Sequence, residues 1–342
     1  MIPDISMKEN VANYCAGIGS DPLLVQGAGG NVSWKDGDTL WVKASGTWLS
    51  DATQKEIFVP VDLAHLQQAI SAGHFMAPPL VRGESSLRPS IETMLHGLMP
   101  HPVVIHLHAI EILAHLVRYE VKPSLSLSLG SKIRWTYVDY QKPGSDLAHA
   151  VREALLGKPC ANVVFLQNHG VVIGGSDIFE VDVILKSLLD MLQILPRTAS
   201  NIPAPNSAIA VADSRLYAPI QDKVVHQLAT DMALFERLAS DWALYPDHVV
   251  FLGESASTYE SIDDLIYRSN HMTDLPELIF VRGTGVFAET SFSLGKQAQL
   301  RCYYDVLTRQ AESAVLNSLN SEQIAELLNW DAEKYRIQVT KT

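Results

Sequence analysis

Apolar and polar positions along the chain change period several times, and each change marks an element. Ser6 to Gly17 carries helical spacing that the polar break Ser20-Asp21-Pro22 ends. Two runs, Gly27 to Lys35 and Thr39 to Thr47, flank the turn pair Asp36-Gly37 and predict a β-hairpin with glycine-rich ends. Val61 to Ser71 is again helical in spacing, and Gly73 to Gly83 reads as a loop rich in Pro and small residues. A helix beginning near Pro89 comes next, carrying Glu92 and His96 one turn apart on one face. After it, Val103 to Ala109 is an apolar, β-branched run interrupted at alternate positions by His106 and His108, which a strand points the same way.

A helix over Ile110 to Tyr119 continues the chain. Ser124 to Leu129 alternates Ser with Leu, a period of two that fits either a strand or a partly exposed loop. A turn at Tyr140 to Ser145 precedes the helix Asp146 to Leu156. The buried strand Ala161 to Gln167 leads through Asn168-His169-Gly170 into a partner strand Val171 to Gly174, and a long helix, Asp177 to Leu195, closes at Pro196. Arg197 to Asn206, rich in Pro, Ala, Ser and Asn, reads as a linker. Beyond it Pro219 to Leu244 reads as helical, Asp247 to Gly253 as a buried strand, Leu278 to Ala288 as another strand and Ser293 to Leu316 as a long helix. The chain is therefore expected to be α/β in two parts, residues 1–196 and a smaller α/β unit over 197–342 packed on the first.

At 342 residues, 47% hydrophobic and 19% charged, the chain has enough apolar surface for a large core. Its net charge of -12 and the lack of a Lys/Arg cluster exclude nucleic acid and anionic membrane as expected partners. The start lacks a basic segment followed by an apolar one, and no apolar run approaches the ~20 residues that span a bilayer, so a cytoplasmic address is expected. Cys15, Cys160 and Cys302 are far apart and outside any Cys-x-x-Cys pattern, which predicts reduced cysteines.

The chemistry concentrates on the histidines. Two imidazoles on one face of an apolar strand are costly to bury without a partner, so His106 and His108 read as metal ligands. His169, at a tight turn on a rigid sheet, is suited to be a third, and Glu92 can be brought beside them as a base. His96 either orients the Glu92 carboxylate or packs the helix. The glycine-rich hairpin ends can offer backbone amides to an anion, or can simply permit tight turns.

These segments resemble the class II aldolase/adducin family of zinc-dependent sugar-phosphate aldolases. The resemblance rests on Gly27 to Ser33, Lys43 to Thr47, Pro89-Ser90-Ile91-Glu92-Thr93 with His96, Val104 to Ala109, Pro143-Gly144-Ser145 and Asn168-His169-Gly170, in the family's order. Pro246 to Val250 and Gly283 to Ala288 resemble the region C-terminal to the aldolase part in bifunctional rhamnulose-phosphate aldolase/alcohol dehydrogenases, and the chain stops where the dehydrogenase would begin. The fold this implies is a three-layer domain with a central, mostly antiparallel sheet flanked by helices. It implies Zn2+ or another divalent metal held by His106, His108 and His169, with Glu92 as acid/base and a phosphate or other anionic group among Asn31, Ser45, Gly46 and Ser90. The implied reaction is retro-aldol cleavage of a ketose phosphate or related keto-sugar through a metal-stabilised enediolate, in a homo-oligomer that is commonly a tetramer. An epimerase or dehydratase on the same metal site is the alternative, and a non-catalytic adducin-like assembly protein is a third. The chain departs from the family pattern twice. Ile91 stands where some members have a Ser before the catalytic Glu, and no Tyr occurs in Lys122 to Lys132, the stretch that supplies a neighbour's proton donor in fuculose-phosphate-type members. Tyr119, Tyr137 and Tyr140 are the substitutes nearby.

Overall fold

The computed structural model describes residues 5–197, 204–211 and 215–331. Its first part runs α1 (Ile5–Gly19), β1 (Asn31–Asp36), β2 (Thr39–Lys43), β3 (Phe58–Asp62), α2 (Leu63–Ser71), α3 (Thr93–Leu98), β4 (Val103–Leu107), α4 (Ile110–Leu116), α5 (Val121–Leu129), β5 (Trp135–Val138), α6 (Ser145–Gly157), β6 (Val163–Leu166), β7 (Gly170–Gly175) and α7 (Ile178–Met191). The strands form one seven-stranded sheet in the order β3-β2-β1-β4-β7-β6-β5. All neighbours are antiparallel except β5 and β6. Alternation along each strand builds three layers. Val103, Ile105 and Phe165 face α1, α4, α5 and α7, through residues such as Cys15, Ile112, Leu125 and Leu185. Val104 and Val164 face α2, α3 and α6, through Leu66, Leu95 and Leu147. The α/β architecture is thus the one the residue patterns predict, and its mostly antiparallel sheet between helices is the one the family resemblance implies.

The remainder runs β8 (Ile209–Ala210), β9 (Leu216–Pro219), α8 (Gln227–Thr230), α9 (Met232–Ser240), α10 (Pro246–Leu252), β10 (Thr258–Tyr259), α11 (Ile262–Ser269), β11 (Leu278–Val281), β12 (Gly285–Glu289), α12 (Leu294–Leu307) and α13 (Ser321–Leu328). A second, five-stranded sheet has the order β10-β11-β12-β9-β8. Its core is continuous with the first part, because Ile110, Leu113 and Val117 on the outer side of α4 pack with Tyr245, Val249, Leu300 and Val306. Among the described residues no helix is long and apolar enough to cross a membrane.

Several local expectations are corrected. Ser124 to Leu129 lies in helix α5, where Leu125 and Leu129 are buried one turn apart while Leu127 is 88% exposed, so the Ser-Leu alternation is incidental to a helix that uses two of its three leucines. Asp247 to Leu252 lies in helix α10 rather than in a strand, and Gly253 caps its C-terminus. Pro246 occupies its first turn and Pro246 to Phe251 are all buried, and a run buried on every side shows no period by which helix and strand differ. Leu278 to Ala288 is two strands, β11 and β12, joined at Gly283 with φ 67°. Pro219 ends β9, and the helical region to Leu244 is broken into a short 3-10 turn, α8 and α9. The helix expected from Pro89 starts at Thr93, since Pro89 instead bridges to Ala44 beyond β2. The long helix from Ser293 ends at Leu307, short of Leu316. Of the linker Arg197 to Asn206, residues 198–203 lie outside the described residues.

Candidate metal centre

His106 stands in β4 directly opposite Asn31 of β1. Cross-strand partners share a face, so the strand that delivers one imidazole also places an amide beside it. His108 comes just after β4 at the junction with α4, and His169 occupies the turn between β6 and β7. That turn is made by Asn168 at φ 52°, a left-handed conformation that Asn tolerates better than most residues. The three imidazoles are buried, and each offers a ligand nitrogen within 4.8 Å of the others.

Glu92 immediately precedes α3, and its carboxylate lies across the cluster. Oε1 is 3.1 Å from His169 Nε2 and Oε2 is 3.5 Å from His106 Nε2. Asn31 Nδ2 donates to Oε2 at 2.9 Å. Burial alone would raise the pKa of Glu92, but the imidazoles of His106 and His169 outweigh it and hold the group well below the usual carboxylate range. Burial also pushes His106 down to about 3, so its ring is neutral at pH 7.

The distribution of hydrogens on these rings tests whether a cation fits. A carbonyl only accepts, so His106 Nδ1, 3.1 Å from the Val171 carbonyl, carries the ring hydrogen and leaves Nε2 as a lone pair. His108 Nδ1 is 3.3 Å from Asp247 Oδ2, and its Nε2 faces His106 Nε2 at 3.1 Å. With Nδ1 of His108 turned to a carboxylate, a second lone pair points into the same space, beside the oxygens of Glu92. Converging acceptors of this kind fit a cation, and three imidazoles plus a carboxylate are a donor set suited to zinc.

The residues expected to cradle an anion line the same cleft. Asn31, Ser45, Gly46 and Ser90 border it together with Ile91, Glu92, His108, His169 and Asp247. The bridge between Ala44 and Pro89, and the bond from the Ser45 amide to the Arg88 carbonyl at 2.9 Å, join the exit of β2 to the loop before α3. That amide is therefore already engaged within the protein. The side-chain amide of Asn31 donates to Glu92. His96 pairs through Nδ1 with Ser33 Oγ at 2.7 Å, so the carboxylate is oriented from Asn31 and not from His96.

Sequence reasoning missed two residues of this cleft. Lys43 lines it with 1% exposure, its ammonium donating to the Ala28 carbonyl at 3.1 Å. A lysine ending the strand Thr39-Leu40-Trp41-Val42-Lys43 was the one local signal, and by itself it reads as an edge residue. Asp247 comes from the C-terminal part, where Pro-Asp ahead of an apolar run is a helix-start pattern that would have separated it from a strand. None of Tyr119, Tyr137 and Tyr140 lines the cleft. Tyr119 is 71% exposed, and burial pushes the phenols of Tyr137 and Tyr140 up.

Residues 9–194, more than half of the chain, match the class II aldolase and adducin N-terminal domain. This chain belongs to the class II aldolase and adducin family. Among curated proteins it is 30% identical over 175 residues to a Bacillus subtilis (strain 168) protein named uncharacterized oxidoreductase YuxG. The match takes in 46% of this class II aldolase family member and 25% of that relative, so the chain spans about a quarter of the relative's length. Among solved structures, the N-terminal class II aldolase domain of a conserved protein from Thermoplasma acidophilum is 25% identical with a TM-score of 0.46, over 56% of this chain and 93% of that one. An L-fuculose 1-phosphate aldolase is 19% identical with a TM-score of 0.40, over 55% and 84%.

Proposed function

We propose that this family member is a zinc-dependent aldolase that cleaves a ketose phosphate or related keto-sugar, with His106, His108 and His169 as ligands. The observation that carries this reading is the position of the buried Glu92, whose two oxygens lie 3.1 Å and 3.5 Å from the nitrogens of two proposed ligands, in a cleft that Ser45 and Ser90 also line. A cation bound to the imidazoles would draw electron density from the substrate's carbonyl and adjacent hydroxyl oxygens. In the condensation direction the ionised Glu92 takes the proton from the carbon beside the ketone; in the cleavage direction the hydroxyl that becomes the aldehyde gives up its proton as the C–C bond breaks, and Glu92, once protonated, delivers a proton to that carbon. Asn31 holds the carboxylate in place for both transfers. Ser45, Gly46, Ser90 and the buried Lys43 receive the anionic group, with Lys43 supplying the positive charge. Ile91 narrows the same cleft with an apolar side chain, so a substrate with fewer anionic oxygens at that position also fits the reading.

A second reading is favoured by one observation: no tyrosine of this chain lines the cleft among the described residues. Either a neighbouring copy supplies the acid in a homo-oligomer, a tetramer by resemblance, or the reaction needs no such donor and is an epimerisation or dehydration. Incubation with a panel of ketose phosphates separates them. Release of dihydroxyacetone phosphate with an aldehyde supports the aldolase, whereas C4 inversion without C–C cleavage overturns it.

A further inference from the structure

The C-terminal part reaches the proposed metal centre at two points. Asp247, in the first turn of α10, places Oδ2 3.3 Å from His108 Nδ1. The side-chain amide of Asn168, beside His169, donates to the carbonyls of Leu244 and Asn317, while Asn317 Nδ2 donates back to Asn168 Oδ1 at 2.9 Å. The second contact sets the turn that carries His169. The first acts on a ligand ring itself.

The rear nitrogens of the three rings have three different environments. His106 Nδ1 meets a backbone carbonyl, His108 Nδ1 meets a carboxylate, and His169 Nδ1 is buried without a hydrogen-bond partner. Only the carboxylate places negative charge behind a ring, and its bond to Nδ1 fixes the tautomer that leaves Nε2 facing the cluster. Local packing maintains the pair. Gln299 Nε2 of α12 reaches the same Asp247 oxygen at 3.3 Å, and the absence of a side chain at Gly29 leaves the space between them open, since a Cβ there would lie 3.3 Å from Asp247 Oδ2 and 3.4 Å from His108 Nδ1. Asp247 is 3% exposed, so its carboxylate is not placed there by solvent-facing chance.

We propose that Asp247 is a positioning residue of the metal centre, so that the C-terminal part completes a site whose ligands all come from the aldolase-family part. This rests on the proposal that His106, His108 and His169 bind a divalent cation, and the experiment keeps the two apart. The full chain and its Asp247→Asn variant, both stripped of metal, are titrated with Co2+ and Zn2+, following the Co2+ visible spectrum and competition with a chelator. The expected result is one site in the wild type and, in Asp247→Asn, an affinity about 10–100-fold weaker with an altered Co2+ spectrum. Asp247→Glu, which keeps a carboxylate, is expected to recover part of the loss. If the wild type binds and Asp247→Asn binds equally with the same spectrum, the role of Asp247 is refuted while the metal site stands. If the wild type binds no metal, the metal reading itself fails. Should the Asn variant not fold, proton and nitrogen NMR of histidine-labelled, zinc-loaded wild type decides: a strongly deshielded Nδ1–H of the carboxylate-bonded type is expected from His108, and its absence overturns the proposal.

Discussion

Asn31 and Glu92 are 61 positions apart in sequence, yet the amide of one donates to the carboxylate of the other at 2.9 Å. The contact results from strand register, because Asn31 pairs with His106 across β1 and β4 and thereby faces the loop that carries Glu92. A hydrogen bond to a buried charged group contributes about 1.5–3 kcal/mol, so Asn31→Ala is expected to lower kcat by roughly 10- to 100-fold. Metal content should stay unchanged, because Asn31 touches the carboxylate and is not among the clustered imidazoles. Steady-state kinetics beside elemental analysis checks this, and a variant with full kcat would remove Asn31 from the mechanism.

Gly29 is expected to be intolerant of even one methyl group. A Cβ there would lie 2.9 Å from the Gln26 carbonyl oxygen, closer than real Cβ contacts, and would press between Asp247 and His108. Gly29→Ala should therefore fold with a lower Tm and bind Co2+ more weakly than the wild type. Unchanged Co2+ affinity would mean that the Asp247–His108 contact is not tightly set.

The turn at Asn168 joins the two parts of the chain, and its substitution separates two effects. Asn168→Gly keeps the positive φ but loses the bonds to Leu244 and Asn317; Asn168→Ala loses both. Chemical denaturation should rank wild type above Gly and Gly above Ala, the last step being about 1–2 kcal/mol from the left-handed backbone. Equal stability of all three would contradict this role for the turn.

His248 makes acid a destabilising condition for the metal-free protein. Its ring is fully buried against Trp242 and Tyr303, neither nitrogen has a hydrogen-bond partner, and burial pushes its pKa to about 3. Above pH 6.5 it is neutral folded or unfolded and pH has no effect through it. As pH falls from about 6.5 toward 3, the unfolded chain takes up a proton that the folded one refuses, and stability drops by about 1.4 kcal/mol per pH unit. Denaturant unfolding of His248→Phe should accordingly lose about 2 kcal/mol less than the wild type between pH 7 and pH 5. Identical pH slopes would show that His248 does not contribute.

Five strands of the first part were legible, β1 and β2 from the turn Asp36-Gly37 between them and β4, β6 and β7 as short apolar, β-branched runs, whereas β3 and β5 at the two edges of the sheet carried no such signal and were not expected. His106 and His108 were visible because imidazoles interrupt an apolar run, although the strand ends at Leu107 and His108 follows it. Harder to read were elements buried on every side. Helix α10 carries no polar face from which a period could be taken, so Asp247 was placed on a strand and its link to His108 was hidden. Long-range register was also out of reach of local pattern: nothing near Asn31 in sequence indicates that its amide meets Glu92. Lys43 shows a related limit, since a single lysine ending an apolar strand reads as an edge residue until the strand's burial is known.

Elemental analysis of the purified full chain, loaded with zinc and freed of excess metal, probes the buried His106, His108 and His169 cluster most directly. About one divalent ion per chain is expected in the wild type and in Glu92→Gln, with C–C cleavage present only in the former, and almost none in His108→Ala. A wild-type protein without stoichiometric metal, or a Glu92→Gln protein that still cleaves ketose phosphates, would contradict the assignment.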